Sequence, residues 1–363
     1  MRKTQAAPLP GTLTQPRSIR LPTWAKKGSL GRAYSTLPSE ESATVDFSGR
    51  SVVVTGGAGF IGSHVVDALV LRGANVTVID DFSTGYRELV HPSATLLEAD
   101  LTLHASIRPA FAGKDFVFHL AANADVKDGL LHPRKDVEQN VIATQNVLEA
   151  MRANGVSRIA FSSTGALYGD APVLPTPETC PFPIQTSLYG ASKVAAEGLL
   201  TAYAIGYGFQ TWIFRFVSLL GPRYSHGHVI DFWRKLRKNP KVLDVLGDGH
   251  QQKSYLHVSD CVAAILTAID RVDPKNNPHI YNLGHEDWLE VNQSIRIISR
   301  ELGVTPEIRY SGGERGWVGD APKILLDTKK IQSLGWKPTK TIEESVVETL
   351  RFIGENAYLD RSR

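Results

Sequence analysis

From Ser51 onward, short apolar runs alternate with longer segments whose apolar positions recur at helical spacing. "SVVVTG", "ANVTVID", "DFVFHLAA", "RIAFSST" and "WIFRFVS" are short and continuously apolar, the texture of strands buried on both faces. Between them, "IGSHVVDALVLRG", "DVEQNVIATQNVLEAMRANG" and "SLYGASKVAAEGLLTAYAIGYG" read as helices, each closed by a glycine suited to a C-terminal cap. Such alternation is the pattern of βαβ units around a parallel sheet. After about residue 217 the apolar runs shorten, proline and glycine mark more loops, and a last helix is predicted over 342–355. The pattern divides the chain into an extension over 1–47, a sheet domain mainly over 48–217, and a smaller lobe mainly over 218–357 that is partly interleaved with it.

Composition narrows the class. With 363 residues, 42% hydrophobic and 21% charged, the chain fits a soluble α/β domain plus a smaller one. The longest apolar stretches, such as "TWIFRFVSLLG", are broken by charge and fall short of the roughly 20 residues a bilayer span needs. No membrane association is expected. Cys180 and Cys261 lack any ligand-type spacing to histidine or to another cysteine and read as reduced packing residues, and His226 and His228 read as loop residues, so no metal is expected.

The net charge of +3 is unevenly distributed. Arg2, Lys3, Arg17, Arg20, Lys26, Lys27 and Arg32 stand in the first 39 residues without an acid; setting these seven aside leaves 33 Lys and Arg against 37 Asp and Glu. The remainder is therefore mildly acidic, with no basic footprint for nucleic acid. The same 39 residues carry Pro8, Pro10, Pro16, Pro22 and Pro38 and no sustained period. Their Arg, Ser and Thr content fits an organelle presequence, and "GRAYSTL" is similar to the Arg-x-Tyr cleavage signal of mitochondrial precursors; a disordered tail or an upstream start codon fits equally well.

The first strand ends in "TGGAGFIG", which places Gly56, Gly59 and Gly62 where a helix should begin. Small residues there let the backbone approach a pyrophosphate, while the helix N-terminus supplies free N–H groups. The second strand ends in Asp80, 18 positions after Gly62, where a carboxylate would accept the adenosine ribose hydroxyls and repel a 2′-phosphate. These features imply a Rossmann-type doubly wound parallel sheet that binds NAD in preference to NADP. In "SLYGASK", Tyr189 and Lys193 lie four apart on one helix face. An ammonium near a phenol favours phenolate, so Tyr189 is a candidate to take a proton from a sugar hydroxyl as hydride leaves the same carbon.

"TGGAGFIG", "HLAANADV", "FSSTGALYG" and "YGASK", in this order, resemble the extended short-chain dehydrogenase/reductase family of nucleotide-sugar enzymes over roughly residues 50–355. Through "GPRYSHGHVIDFWRKLRKNP", "VLGDGHQQKSYLHVSD" and "RGWVGD" the chain is most similar to the archaeal-type branch of the UDP-galactose (UDP-glucose) 4-epimerases. The resemblance implies that Tyr189 is the base, that Lys193 holds the nicotinamide ribose, and that Thr164, 25 residues before Tyr189, bridges it to the substrate. It implies cofactor contacts at Gly56, Gly59, Phe60, Ile61, Gly62, Asp80, Asp81, Asp100, Leu101, Leu120, Ala121, Ala122, Asn140 and Ser162. Substrate contacts are implied at Thr164, Ser218, Lys253 and Arg315, the last two as cations for a nucleoside diphosphate. Asn140 reads equally as a structural amide.

Family members that dehydrate or decarboxylate sugars carry an acid just after the Thr, where this chain has Gly165 and Ala166. The resemblance thus implies a 4-epimerase acting on a UDP-hexose through a 4-keto sugar, as a homodimer. It implies a cytoplasmic protein, or one of the mitochondrial matrix if residues 1–34 act as a presequence. Decarboxylation of UDP-glucuronate, epimerisation of an acidic or N-acetylated nucleotide sugar, and a non-catalytic dinucleotide-binding subunit are the alternatives.

Overall fold

The computed structural model describes residues 45–360 except Ala124, Lys127, Pro183 and Asn276. The cleavage-signal motif and the seven basic residues lie outside the described residues.

The central sheet takes β1 (Ser51–Thr55), β2 (Asn75–Asp80), β3 (Thr95–Glu98), β4 (Phe116–His119), β5 (Arg158–Thr164) and β6 (Gln210–Phe216), together with a late strand, His279–Leu283. Their order is β3-β2-β1-β4-β5-β6 and then His279–Leu283, and every pairing is parallel. This is the doubly wound Rossmann-type sheet. The order reverses between β1 and β4, so a crevice opens at the carboxyl ends of those two strands, where open α/β sheets bind ligands.

Alternation along the strands sorts side chains to two faces. Val53, Val117, Ile159, Phe161 and Ile213 join one core cluster with Val147, Leu148, Met151 and Leu200. Those last four come from two helices: α2, which runs through Pro133–Asp136, a π-helical stretch Val137–Ile142 and Ala143–Ala153, and α3 (Leu188–Tyr207). The first crossover helix, α1, is Phe60–Leu71. Phe116, Phe118 and Trp212 point the other way, with the Phe116 ring tilted against both of the others. Phe47 packs on Phe116 and Phe118 at ring-centroid distances of 5.9 and 6.1 Å and is 2% exposed.

Phe47 corrects the expected extension at its end. An isolated aromatic in "TVDFSG" carries no periodicity, yet it plugs the sheet face. Phe47→Ala is expected to cost about 3–5 kcal/mol of unfolding free energy, as buried Phe truncations do, measured by denaturant titration.

Each α3 end has a chemical cause. Ser187 caps the start by accepting from Gly190 N at 3.0 Å, and Gly208, with φ of +71°, ends it in the left-handed conformation. Beyond β6 come short pairings: β7 (Ser218–Leu220) with Tyr255–His257, Val242–Val245 with Glu307–Tyr310, and Gln252–Lys253 between Leu289–Glu290 and Lys323–Ile324. The last helix, Ile342–Glu355, begins at a Thr341/Glu344 capping box. Among the described residues no helix is long and apolar enough to cross a membrane.

Candidate active site

The turn after β1 is built by contact. Gly56 N donates to Ile79 O at 2.8 Å, and Gly59 N donates to Gly56 O at 3.0 Å. Gly56 has φ of +69°, and a Cβ there would sit 2.7 Å from Ala121 N; a Cβ on Gly62 would sit 2.0 Å from Gly56 O. Only glycine permits the end of β4 and the first turn of α1 to close on this loop. Phe60 is buried and Ile61 half-buried behind it.

Asp80, buried at the end of β2, accepts Ala58 N and Phe82 N at 2.9 Å each, one on each carboxylate oxygen. Burial raises its pKa, and the two N–H donors oppose that. Each oxygen keeps lone-pair capacity for a hydroxyl. Asp81 is exposed and accepts Ser83 N and Oγ within its own turn. Asp100 accepts Thr102 N at 2.8 Å, while the carbonyl of buried Leu101 accepts from Asn146 Nδ2 at 2.9 Å. Leu120, Ala121 and Ala122 continue from β4 half-buried, and Ala121 N donates to Thr55 Oγ1 at 3.3 Å. A glycine turn at a helix N-terminus with a ribose-type carboxylate beyond it fits a dinucleotide.

Tyr189, Lys193 and Thr164 meet where α3 crosses the end of β5. The Thr164 hydroxyl faces the Tyr189 phenol and favours its ionised form. Lys193, 2% exposed, donates to Ser162 O at 2.9 Å and stands over the Phe161 ring. Ser162 Oγ turns back to His119 O at 3.3 Å. Burial pushes the Tyr189 phenol up to about 12; the Thr164 hydroxyl opposes this and the Asp136 charge adds to it. Burial lowers Lys193 to about 7 against the pull of Glu197 and Asp136. Burial dominates the shift of the phenol, and the charge that adds to it is the Asp136 carboxylate.

Asn140 lies in the π-helical stretch of α2, a distortion frequent at functional sites. Its Oδ1 accepts Asn123 N at 2.9 Å, and its Nδ2 donates to Ser192 Oγ at 2.9 Å and to Asn123 O at 3.3 Å. Ser192 Oγ donates to Tyr189 O at 2.7 Å, so Asn140 joins the loop after β4 to the helix of Tyr189. Asn123 Nδ2 donates to fully buried Asp136 at 2.9 Å. His119 bridges Thr55 Oγ1 at 2.7 Å and Thr144 Oγ1 at 3.0 Å, and burial with the nearby Lys193 charge lowers it to about 3, so it stays neutral.

The substrate-side cations are held by acids that the sequence reading missed. Lys253 Nζ donates to Asp320 Oδ1 at 2.5 Å and lies over the Trp317 ring. Arg315 grips Asp170 with Nη1 at 3.1 Å and Nη2 at 2.8 Å and also donates to the Asp320 carbonyl. The loop of Arg315 and Asp320 reaches the start of α3, where Thr186 Oγ1 donates to Gly319 O at 3.4 Å. Ser218 is exposed at the start of β7, paired with Tyr255. His228 is fixed by Ser294 Oγ at 2.8 Å, and burial with the Lys253 charge lowers it to about 3. No group of three or more His, Cys, Asp or Glu able to hold a metal occurs among the described residues.

A glycine-bounded crevice on a parallel sheet, with a Tyr and a Lys one helical turn apart at its edge, defines a Rossmann-type dinucleotide-binding fold. Residues 52–284 match the NAD dependent epimerase/dehydratase family, and the chain belongs to that family. It is 34% identical over 314 residues to a putative UDP-glucose 4-epimerase of Methanocaldococcus jannaschii, covering 84% of this chain and 99% of the relative. A crystal structure of a UDP-galactose 4-epimerase superposes with a TM-score of 0.76 at 40% identity, covering 84% of this chain and 99% of that one. UDP-glucuronic acid decarboxylase 4 of Arabidopsis thaliana is 30% identical over 373 residues, covering 99% of this chain and 79% of the relative.

Proposed function

We propose that this protein is a nucleotide-sugar 4-epimerase that interconverts UDP-galactose and UDP-glucose through a 4-keto sugar. One observation carries the choice among family reactions. Gly165 is buried, and a Cβ there would already lie 3.2 Å from Phe216 O and 3.4 Å from a Leu326 methyl, so an acidic side chain beside Thr164 would be crowded. Ala166 offers only a methyl. A site with a hydroxyl bridge and no extra carboxylate suits removal and return of hydride, which is all that inversion at C4 requires.

NAD, when bound, supplies the hydride acceptor and then the donor. The chain's own residues do the rest. Tyr189 takes the proton from the C4 hydroxyl and later returns it, so the reaction is redox-neutral and proton-neutral overall. Thr164 orients the phenol toward the sugar oxygen, Lys193 holds the nicotinamide ribose, and Asp80 holds the adenosine ribose. Lys253 and Arg315 take the sugar diphosphate, Arg315 by exchanging the exposed Asp170 carboxylate for phosphate oxygens. The similarity to 4-epimerases over most of the chain supports this reading.

The test is a substrate panel with purified protein and no added cofactor. UDP-galactose should be converted to UDP-glucose. Carbon dioxide released from UDP-glucuronate, as the decarboxylase relative would suggest, or UDP-galactose left untouched, would overturn it.

A homodimer is part of the same proposal. Val137 and Ile142 of α2 and Ile205 and Tyr207 of α3 are between 44% and 82% exposed, an apolar surface suited to a second copy. Light scattering is expected to give twice the chain mass of 39.7 kDa at micromolar concentration; a stable monomer would refute the dimer.

A further inference from the structure

Three consecutive hydroxyl residues end β5, and each engages a different residue on one face of α3. Thr164 faces the Tyr189 phenol, the Ser162 carbonyl accepts from Lys193 Nζ at 2.9 Å, and Ser163 Oγ donates to Glu197 Oε1 at 2.5 Å. Tyr189, Lys193 and Glu197 follow one another at four-residue spacing, so they form three rungs between helix and strand. The proposed reaction uses two of them. The third, Glu197, has both carboxylate oxygens engaged by protein donors, Ser163 Oγ and Arg215, and takes no part in that reaction.

Glu197 is itself held. Arg215 of β6 grips it with Nε at 3.0 Å and Nη2 at 2.7 Å, and Arg215 Nη1 donates to Tyr168 OH at 2.6 Å. Tyr168 OH donates to Asn282 Oδ1 at 3.0 Å in the last sheet strand. The rung therefore ties α3 to three neighbouring strands.

We propose that Glu197, acting through Ser163, is a positioning residue: it fixes the register of the helix that carries Tyr189 and Lys193 against the strand end that carries Thr164. This rests on the reading of Tyr189, Lys193 and Thr164 as the reacting set. Helix sliding or rotation of about 1 Å at such a site is enough to cost on the order of 10²-fold in rate. The Glu197 carboxylate also faces Lys193 from one turn away. The other groups facing that ammonium are the Asp136 carboxylate from α2, the Ser162 carbonyl and Phe161 ring from β5, and neutral His119 from β4.

Two variants test the inference. Ser163→Ala cuts the rung but leaves the Glu197–Arg215 pair intact, so folding is retained. Its kcat on UDP-galactose should fall roughly 10- to 100-fold with KM unchanged, and Ser163→Thr, which keeps the hydroxyl, should restore most of it. The double variant Glu197→Gln, Arg215→Gln removes both buried charges together and leaves neither unpaired. In protein labelled with 13C at the lysine ε-carbons, with the Lys193 signal assigned by Lys193→Arg, the double variant should titrate Lys193 at lower pH than the parent. Undiminished kcat in Ser163→Ala, or an unmoved Lys193 titration with losses confined to Tm, would overturn the inference. Should the parent protein turn over no UDP-hexose, the proposed reaction fails, while the titration still decides the role of Glu197.

Discussion

Tyr189→Phe is expected to lower turnover of UDP-galactose by about 10²- to 10⁴-fold, the usual worth of a positioned acid/base group. The ring remains, so the packing of α3 on β5 is kept, and what disappears is one O–H that faces Thr164. NAD content after purification and Tm should therefore match the parent. Burial, which pushes the phenol up to about 12, works against the phenolate that must take the C4 proton, so parental turnover should rise with pH along the Tyr189 limb. The pH–rate profile should accordingly lose the Tyr189 limb in the variant. A variant that kept a tenth or more of parental turnover would remove Tyr189 from the acid/base role.

Gly62→Ala should sharply weaken the binding of NAD. The new methyl would lie 2.0 Å from Gly56 O, and that carbonyl cannot retreat, because Gly56 is pinned by its N–H to Ile79 O and its Cα faces Ala121 N. Helix α1 must back out of the turn, and overpacking of this kind costs about 1–3 kcal/mol, or roughly ten- to a hundredfold in affinity if all of it falls on the bound state. Gly198→Ala is the control. Gly198 is exposed on α3 with nothing within 4 Å of its Cβ position. There the same change should raise stability by up to about 1 kcal/mol, the helix-propensity difference. Calorimetric NAD titration and thermal unfolding read both, and equal behaviour of the two variants would refute the steric argument.

Much of this arrangement was legible in the chain because local chemistry and tertiary role coincide there. Val52, Val53 and Val54 can only be a doubly covered strand, and "TGGAGFIG" has little use other than a tight turn into a helix. The strands Thr95–Glu98 and His279–Leu283 were not legible. The first is a short, half-exposed edge, and the second lies within a lobe of broken apolar runs and joins the sheet only through pairing with β6. Asp170 and Asp320 look like ordinary loop acids until folding brings them against Arg315 and Lys253. Glu197 did have a signal, since it extends the Tyr189, Lys193 spacing by one more turn. Its meaning depended on Ser163 and Arg215, which are remote in sequence. Phe47 had none, because a single aromatic contributes no period.

The late arrival of His279–Leu283 has a consequence during synthesis. When β6 leaves the ribosome its outer edge, with Trp212 and Phe214 beside it, has no partner, and the strand that will cover it has not yet been translated. At about 5–20 residues per second, several seconds pass before that strand emerges. For that interval the nascent sheet presents an open, aromatic-rich parallel edge, the kind of template on which neighbouring chains pair. Production of soluble protein should therefore depend on how quickly residues 217–283 are translated, and slow codons there should lower yield without changing any property of the folded molecule.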